Sequence, residues 1–246
     1  MPRVAKPKQR LDEVLVARGL AESRSQARGL IMAGQVHVDG RMVDKAGAPT
    51  SPQAVVHVDR GLPYVSRGGL KLEHALDHFG LDVTGQPALD VGASTGGFTD
   101  CLLQRGAARV YALDGGRGQL HHRLRQDSRV RVMERVNARH PFSLPEPVRL
   151  ATIDVSFISL TLVIPSVVVH LASGGRLLCL AKPQFEARRE QVPRGGVVRD
   201  PSVHGEVLAK LVVWTVGQGL RLRGVTASPL RGDKGNREFF LLLQKP

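Results

Sequence analysis

The chain has 246 residues, 42% hydrophobic and only 4% aromatic, so a sizeable core is possible and must be built mainly of Val, Leu, Ile and Ala. Its formal charge of +13, with a pI near 10.8, points to a polyanionic partner, either nucleic acid or an anionic membrane surface. No apolar run approaches the roughly 20 residues of a membrane helix, the opening MPRVAKPKQRLDE lacks the apolar stretch of a signal peptide, and Cys101 and Cys179 have no metal or redox spacing. Buried reduced thiols in a cytoplasmic protein are the expectation.

Residues 1–60 form a first part, with ten Lys/Arg against six Asp/Glu. RLDEVLVARG places Leu11, Val14, Leu15 and Arg18 at helical spacing, with Gly19 as its C-cap. In AESRSQARGLIMAG, Ser23 is a candidate N-cap with Gln26 three residues on. Ala27, Leu30 and Ile31 would form that helix's buried face. QVHVDG then alternates into an Asp-Gly turn, and PQAVVHVD reads as a second short strand.

Two short helices followed by a small hairpin resemble the S-four-type RNA-binding domain, on the string RLDEVLVARGLAESRSQARGLIMAGQVHVDG. The resemblance covers about residues 10–59 and implies a small α+β domain. Arg10, Arg24 and Arg28 would face RNA phosphates, with Lys45 nearby and Arg67 in the segment that follows. Residues 61–70, GLPYVSRGGL, read as a linker and helix entrance because of Pro63 and the Gly68-Gly69 pair.

From residue 71 a larger domain is expected. PALDVG, RVYALD, RVRVMER, VRLATIDVSF, GRLLCLAKP, RLRGVTASPL and REFFLLLQ read as seven strands. Between them, GFTDCLLQRG, residues 158–172 and HGEVLAKLVVWTVGQG read as helices. Such alternation implies an α/β fold with a mostly parallel sheet and ligands at the carboxyl ends of the strands. Asp90, Asp114, Asp154 and Lys182 all fall at or just after strand ends.

LDVGASTGGFTD, residues 89–100, is neither GxGxxG nor a Walker loop. Phosphate cradles need amides aimed at an anion, usually with a lysine. A non-phosphorylated cofactor such as S-adenosylmethionine needs a tight glycine turn, here Gly92, Ser94, Thr95, Gly96, Gly97 and Phe98. It also needs an acid for its ammonium, Asp90, and an acid for its ribose hydroxyls, Asp114, 24 residues on. The second spacing also fits a dinucleotide, so Asp114 alone does not discriminate.

The strings YVSRGGLKL, LDVGASTGGFTD, LDGGRGQL, TIDVSFISL, LAKPQFE, GGVVRDPSVH and GNREFF resemble an FtsJ-type 2′-O-ribose RNA methyltransferase. With the small domain in front, the chain resembles the TlyA, or haemolysin A, family over about residues 10–243. The resemblance implies a Rossmann-like class I methyltransferase with a seven-stranded sheet, S-adenosylmethionine as cofactor, no metal, and a ribosomal RNA or subunit as partner, modified at a cytidine 2′-hydroxyl. It places a Lys-Asp-Lys-Glu tetrad on Lys71, Asp154, Lys182 and Glu238, and Asn137 near the adenine. Without the motif, Lys71 reads as a solvated helix residue and Glu238 as a polar strand residue. Where the family has Asp-Val-Gly-Tyr-Gly-Gln, this chain has Asp114-Gly-Gly-Arg117-Gly-Gln119, which removes an aromatic from beside the cofactor ribose.

A lysine held near carboxylates can orient a ribose hydroxyl and help remove its proton. Lys182 is the expected carrier of that role, steered by Asp154, with Lys71 and Glu238 fixing the substrate ribose. Seven arginines between Arg117 and Arg139 could extend the RNA-binding face, whereas adjacent His121 and His122 lack ligand spacing. A membrane-active reading has no support from the residues, and a non-catalytic RNA-binding protein would not need all four tetrad types. Oligomeric state stays open, with a monomer favoured.

Overall fold

The structure, a computed structural model, describes residues 8–59, 61–232 and 234–246. It divides into two compact units, Met1–Pro63 and Tyr64–Pro246.

In the first unit, β1 (Gln9–Arg10) runs directly into α1 (Leu11–Ala17), followed by α2 (Arg24–Met32), β2 (Val36–Val38), β3 (Arg41–Met42), β4 (Pro49–Thr50) and β5 (Val56–Val58). Leu11, Leu15, Ala27, Ile31 and Val36 make its small core. Ser23 caps α2 by accepting from the Gln26 amide at 3.2 Å, and the Gln26 side chain reaches back to the Glu22 amide. The Asp39-Gly40 turn has both residues at positive φ (50° and 79°), which joins β2 to β3 in a tight hairpin. β5 pairs on the other edge of β2, and β1 pairs separately with β4.

The second unit contains α3 (Gly68–Phe79), β6 (Pro87–Val91), α4 (Gly97–Gln104), β7 (Arg109–Asp114), α5 (His122–Gln126), β8 (Val130–Glu134), β9 (Val148–Ile153), α6 (Leu160–Val168), β10 (Leu171–Ala181), α7 (Pro183–Glu186), α8 (Pro201–Gly217), β11 (Arg221–Ala227) and β12 (Phe239–Gln244). All seven expected strands form one sheet in the order β11-β12-β10-β9-β6-β7-β8, with β12 alone antiparallel to its neighbours. Its central strands are continuous apolar runs because both faces are covered. Along β12, Phe240 and Leu242 pack with Leu72, Leu76 and Leu102, while Leu241 and Leu243 pack with Ile164, Val167 and Leu211. Cys101 and Cys179 are both buried and unbridged, and burial pushes the Cys101 thiol up to about 12.

Two expectations shift. The apolar helix read over 158–172 is confined to Leu160–Val168, capped by Ser159, and Leu171 already pairs with Val148 in the sheet. Its apolar run merged with the start of β10, because both are rich in apolar residues. The segment read as a linker also packs from residue 64 onward. Tyr64 is buried and donates to Glu73 at 2.8 Å, and the Val65 amide donates to Asp100 at 2.9 Å. Gly69 is a seat for the Tyr64 ring, which a Cβ there would overlap.

Candidate active site

The chain passes from β6 outward to β7 and β8, then returns to add β9 on the opposite side of β6. The carboxyl ends of β6 and β9 therefore flank the switch point where such sheets bind ligands. Gly92 (φ +86°) leaves β6 in a conformation suited to glycine, and a Cβ there would overlap the Asp154 carbonyl oxygen at the end of β9. Gly96 (φ +98°) leaves room for Leu120 and Leu124, and Gly97 lets α4 start against Ser66 and the Gly69 amide. The glycines of LDVGASTGGFTD thus allow three close approaches and shape one wall of a cleft.

That cleft has a volume of about 660 Å³, within the range of small-molecule sites. Gly92, Ser94, Thr95, Gly97 and Phe98 line it, together with Arg67, Lys71, Asp154, Lys182 and Glu238. The sheet explains the convergence. Ala181 pairs with Phe239, so Lys182 and Glu238 leave adjacent strands at the same level, and Cys179 pairs with Ile153 just before Asp154. Lys71 comes from the first turn of α3. Lys71 Nζ donates to Glu238 Oε2 at 2.6 Å, with both side chains largely buried. Lys182 Nζ lies 2.7 Å from Asp154 Oδ1 and donates to Ser156 Oγ at 3.0 Å. Asp154 Oδ1 is buried without a hydrogen-bond partner among the described residues, so its contact with Lys182 is an ion pair off the direction a hydrogen bond needs.

Asp90 is not in the cleft. It is fully buried beneath the glycine turn and accepts from Thr99 Oγ1 at 2.7 Å and Thr152 Oγ1 at 3.0 Å. An ammonium cannot reach it, which corrects the role expected from the sequence. Burial pushes its carboxyl up to about 6, against the two threonine hydrogen bonds and helped by the charge of Asp154. Asp114 ends β7 and accepts from the Ser94 amide at 2.8 Å and the Gly116 amide at 2.7 Å. Each of its oxygens keeps acceptor capacity for a hydroxyl. Asn137 accepts from the Arg139 amide at 3.0 Å, and neither it nor Gly96 or Asp114 lines the cleft.

The cleft also holds residues that sequence reasoning did not single out. Phe157 sits on its wall at φ +64°, 90% exposed, with its ring 5.0 Å from that of Phe185. Such strain gathers at functional sites. Gln184, two residues after Lys182, presents a buried Oε1 without a partner among the described residues. Buried Asn236 accepts from the Val198 amide at 2.9 Å and donates to the Gly196 carbonyl at 2.8 Å, tying the GGVV segment to the rim. These residues lie inside TIDVSFISL, LAKPQFE and GNREFF, so the strings themselves were the available signal.

In the first unit, Arg10, Arg24 and Arg28 are brought together around Asp12, and Lys45 is exposed between β3 and β4.

The FtsJ-like methyltransferase family matches residues 64–245, and the S4 domain matches residues 9–56. The chain is 46% identical to a Bacillus subtilis protein provisionally named the rRNA methyltransferase YqxC, over 97% of this chain and 86% of that one. It is 45% identical to the 16S/23S rRNA (cytidine-2′-O)-methyltransferase TlyA of Mycobacterium tuberculosis, over 96% of this chain and 89% of that one. A Streptococcus thermophilus structure bearing the haemolysin name matches at a TM-score of 0.72 and 44% identity, covering 98% of this chain and 90% of that one. The chain belongs to the TlyA, or haemolysin A, family, in which an S4 domain precedes an FtsJ-like methyltransferase domain.

Proposed function

We propose that this protein transfers a methyl group from S-adenosylmethionine to the 2′-hydroxyl of a cytidine in ribosomal RNA, with Lys71, Asp154, Lys182 and Glu238 as its catalytic residues. The observation that carries the reading is the meeting of two lysine–carboxylate pairs and the glycine turn in one cleft. The cofactor fits this donor set, because the cleft offers backbone close to the turn, a buried Asp154 carboxylate oxygen that makes no hydrogen bond among the described residues, and no lysine-bearing phosphate loop. When bound, S-adenosylmethionine supplies an activated methyl group on a good leaving group.

Lys182 Nζ would hold the ribose 2′-hydroxyl in place and assist removal of its proton during transfer. Asp154 would steer Lys182, whose Nζ lies 2.7 Å from its Oδ1. Ser156 holds the amine from the other side. Lys71 and Glu238 fix the substrate ribose on the opposite pair, and alignment does much of the remaining work. By the family resemblance, Asp114, which accepts from the Ser94 amide of the glycine turn, would take the cofactor ribose hydroxyls and Asn137 would lie near its adenine, although both stand outside the lining of the cleft. Phe157 offers an exposed ring on which an extruded base can stack, and the free Oε1 of Gln184 is an acceptor suited to cytosine's amino group. The basic S4 domain would deliver ribosomal RNA, and the cytoplasm is the compartment this reading implies.

The test incubates the full chain with labelled S-adenosylmethionine and separately prepared small and large ribosomal subunits lacking the modification. Label entering the RNA of either subunit is the expected result. Cofactor binding without transfer to any ribosomal RNA would overturn the substrate, and no cofactor binding would leave a non-catalytic RNA-binding protein.

A further inference from the structure

Asp12 is the second residue of α1, and its side chain is fully buried in the first unit. Three guanidiniums converge on it. Arg10 forks onto it with Nε 3.0 Å from Oδ1 and Nη2 3.1 Å from Oδ2. Arg24 Nη2 and Arg28 Nε reach Oδ2 at 3.4 and 3.3 Å from successive turns of α2. Glu13 adds a second contact to Arg24 at 3.3 Å. The hub is fixed by the backbone, since the Asp12 amide donates to the Ala46 carbonyl at 3.0 Å. Gly47 leaves the space that Arg10 occupies, as a Cβ there would lie 2.9 Å from Nη1.

The carboxylate is hidden but the cations are not. The arginine side chains are 46%, 51% and 55% exposed. Each guanidinium has five N–H donors, and Asp12 engages one or two on each, leaving the rest for a ligand. Three cations this close repel one another without a counter-charge. The same three cations hold the Asp12 carboxyl well below the usual carboxylate range, Arg10 most strongly. The hub is therefore charged at any pH near neutrality.

We propose that Asp12 is the positioning residue of the RNA-binding face: its buried carboxylate gathers Arg10, Arg24 and Arg28 into one preformed guanidinium cluster that receives backbone phosphates of a structured RNA. This rests on the reading of that face as RNA-binding. It separates Asp12 from a plain fold brace by the sign of its effect. Asp12→Asn keeps the shape and raises the formal charge by one from +13, so charge counting alone predicts tighter, more salt-sensitive binding. A positioning role predicts the reverse for structured RNA. The splayed arginines would neutralise fewer phosphates, while a flexible strand could still follow them.

The experiment measures binding of the full chain to a ribosomal RNA hairpin and to an unstructured RNA of equal length, by fluorescence anisotropy between about 50 and 300 mM salt. Asp12→Asn is expected to weaken hairpin binding about tenfold and to lower the salt slope by about one, while binding of the unstructured RNA holds or tightens. Arg28→Gln should weaken hairpin binding in the wild-type background and have little further effect beside Asp12→Asn. A folded Asp12→Asn protein that binds the hairpin as tightly as wild type, or more tightly, would overturn the proposal. Arg24→Gln and Arg28→Gln both binding like wild type would remove the arginine face itself, and the proposal with it. If Asp12→Asn does not fold, arginine Nε–Hε resonances of the wild type decide. Three dispersed signals that move on adding the hairpin support the cluster, and signals at the free-arginine position contradict it.

Discussion

Lys182 Nζ stands 2.7 Å from Asp154 Oδ1, yet that oxygen is buried without an aligned hydrogen bond. A buried carboxylate oxygen left in that state is costly unless something else comes to use it. The pair therefore meets as an ion pair without a hydrogen bond, whereas Lys71 donates directly to Glu238 at 2.6 Å. On the proposed mechanism, the first pair reacts and the second holds.

The holding pair gives a stability prediction. Lys71→Met should leave Glu238, 3% exposed, as an uncompensated buried charge and cost about 3 kcal/mol. The double variant Lys71→Met with Glu238→Gln should recover much of that loss while remaining slow in methyl transfer. Urea unfolding of both variants beside wild type checks the first point, and initial rates check the second.

The glycine turn gives a contrast between two alanines. Gly92→Ala places a Cβ against the Asp154 carbonyl at φ +86°, a left-handed conformation that alone costs about 1–2 kcal/mol. It should lose several kcal/mol in total, with the backbone overlap added, and weaken cofactor binding. Gly115→Ala meets nothing within 4 Å and should stay within about 0.5 kcal/mol of wild type. Thermal unfolding with and without S-adenosylmethionine separates them.

Asp90 gives a pH dependence. Its folded value of about 6 lies above the ordinary 3.8, so the fold favours its neutral form. The stability this contributes is complete below about pH 4 and is lost as pH rises through 6. Above that, ionised Asp90 costs about 3 kcal/mol relative to a neutral isostere. Asp90→Asn, which can keep a hydrogen bond to each of Thr99 and Thr152, should therefore be more stable than wild type at pH 8, with the gain vanishing near pH 4. Denaturant midpoints across that range would show it, and a gain independent of pH would contradict the assignment.

Phe157 should trade stability for function. Its φ of +64° is strained for an aromatic residue, and its ring is 90% exposed, so packing returns little. Phe157→Gly should stabilise the protein by about 1 kcal/mol while raising the KM for RNA. Unchanged kinetics would mean that the ring does not meet the substrate.

Much of this was legible in the sequence, for physical reasons. The seven strands showed because continuous apolar runs bounded by turn residues are what a doubly covered sheet requires. Gly92 and Gly96 showed because few other residues fit such turns. What stayed hidden depended on distant partners. Asp90 looked like a ligand group because its neighbours Thr99 and Thr152 lie nine and 62 residues away, and only folding brings them to its oxygens. Residues 64–67 looked like linker because nothing local shows that Tyr64 folds back over Gly69. Arg10, Arg24 and Arg28 were legible as a basic face, but their convergence on Asp12 was not, because it needs α1 and α2 packed together. Lys71 and Glu238, 167 residues apart, were legible through the family motif alone.

The most direct test of the central claim is the chemical position of the methyl group. Ribosomal RNA treated with the full chain is digested to nucleosides and analysed by mass spectrometry, beside RNA treated with Lys182→Met and with Asp154→Asn. The prediction is 2′-O-methylcytidine with the wild type, and transfer slowed by about a hundredfold or more in both variants, with cofactor binding retained by Lys182→Met. A methyl group on a base, or a Lys182→Met protein that transfers at the wild-type rate, would contradict it.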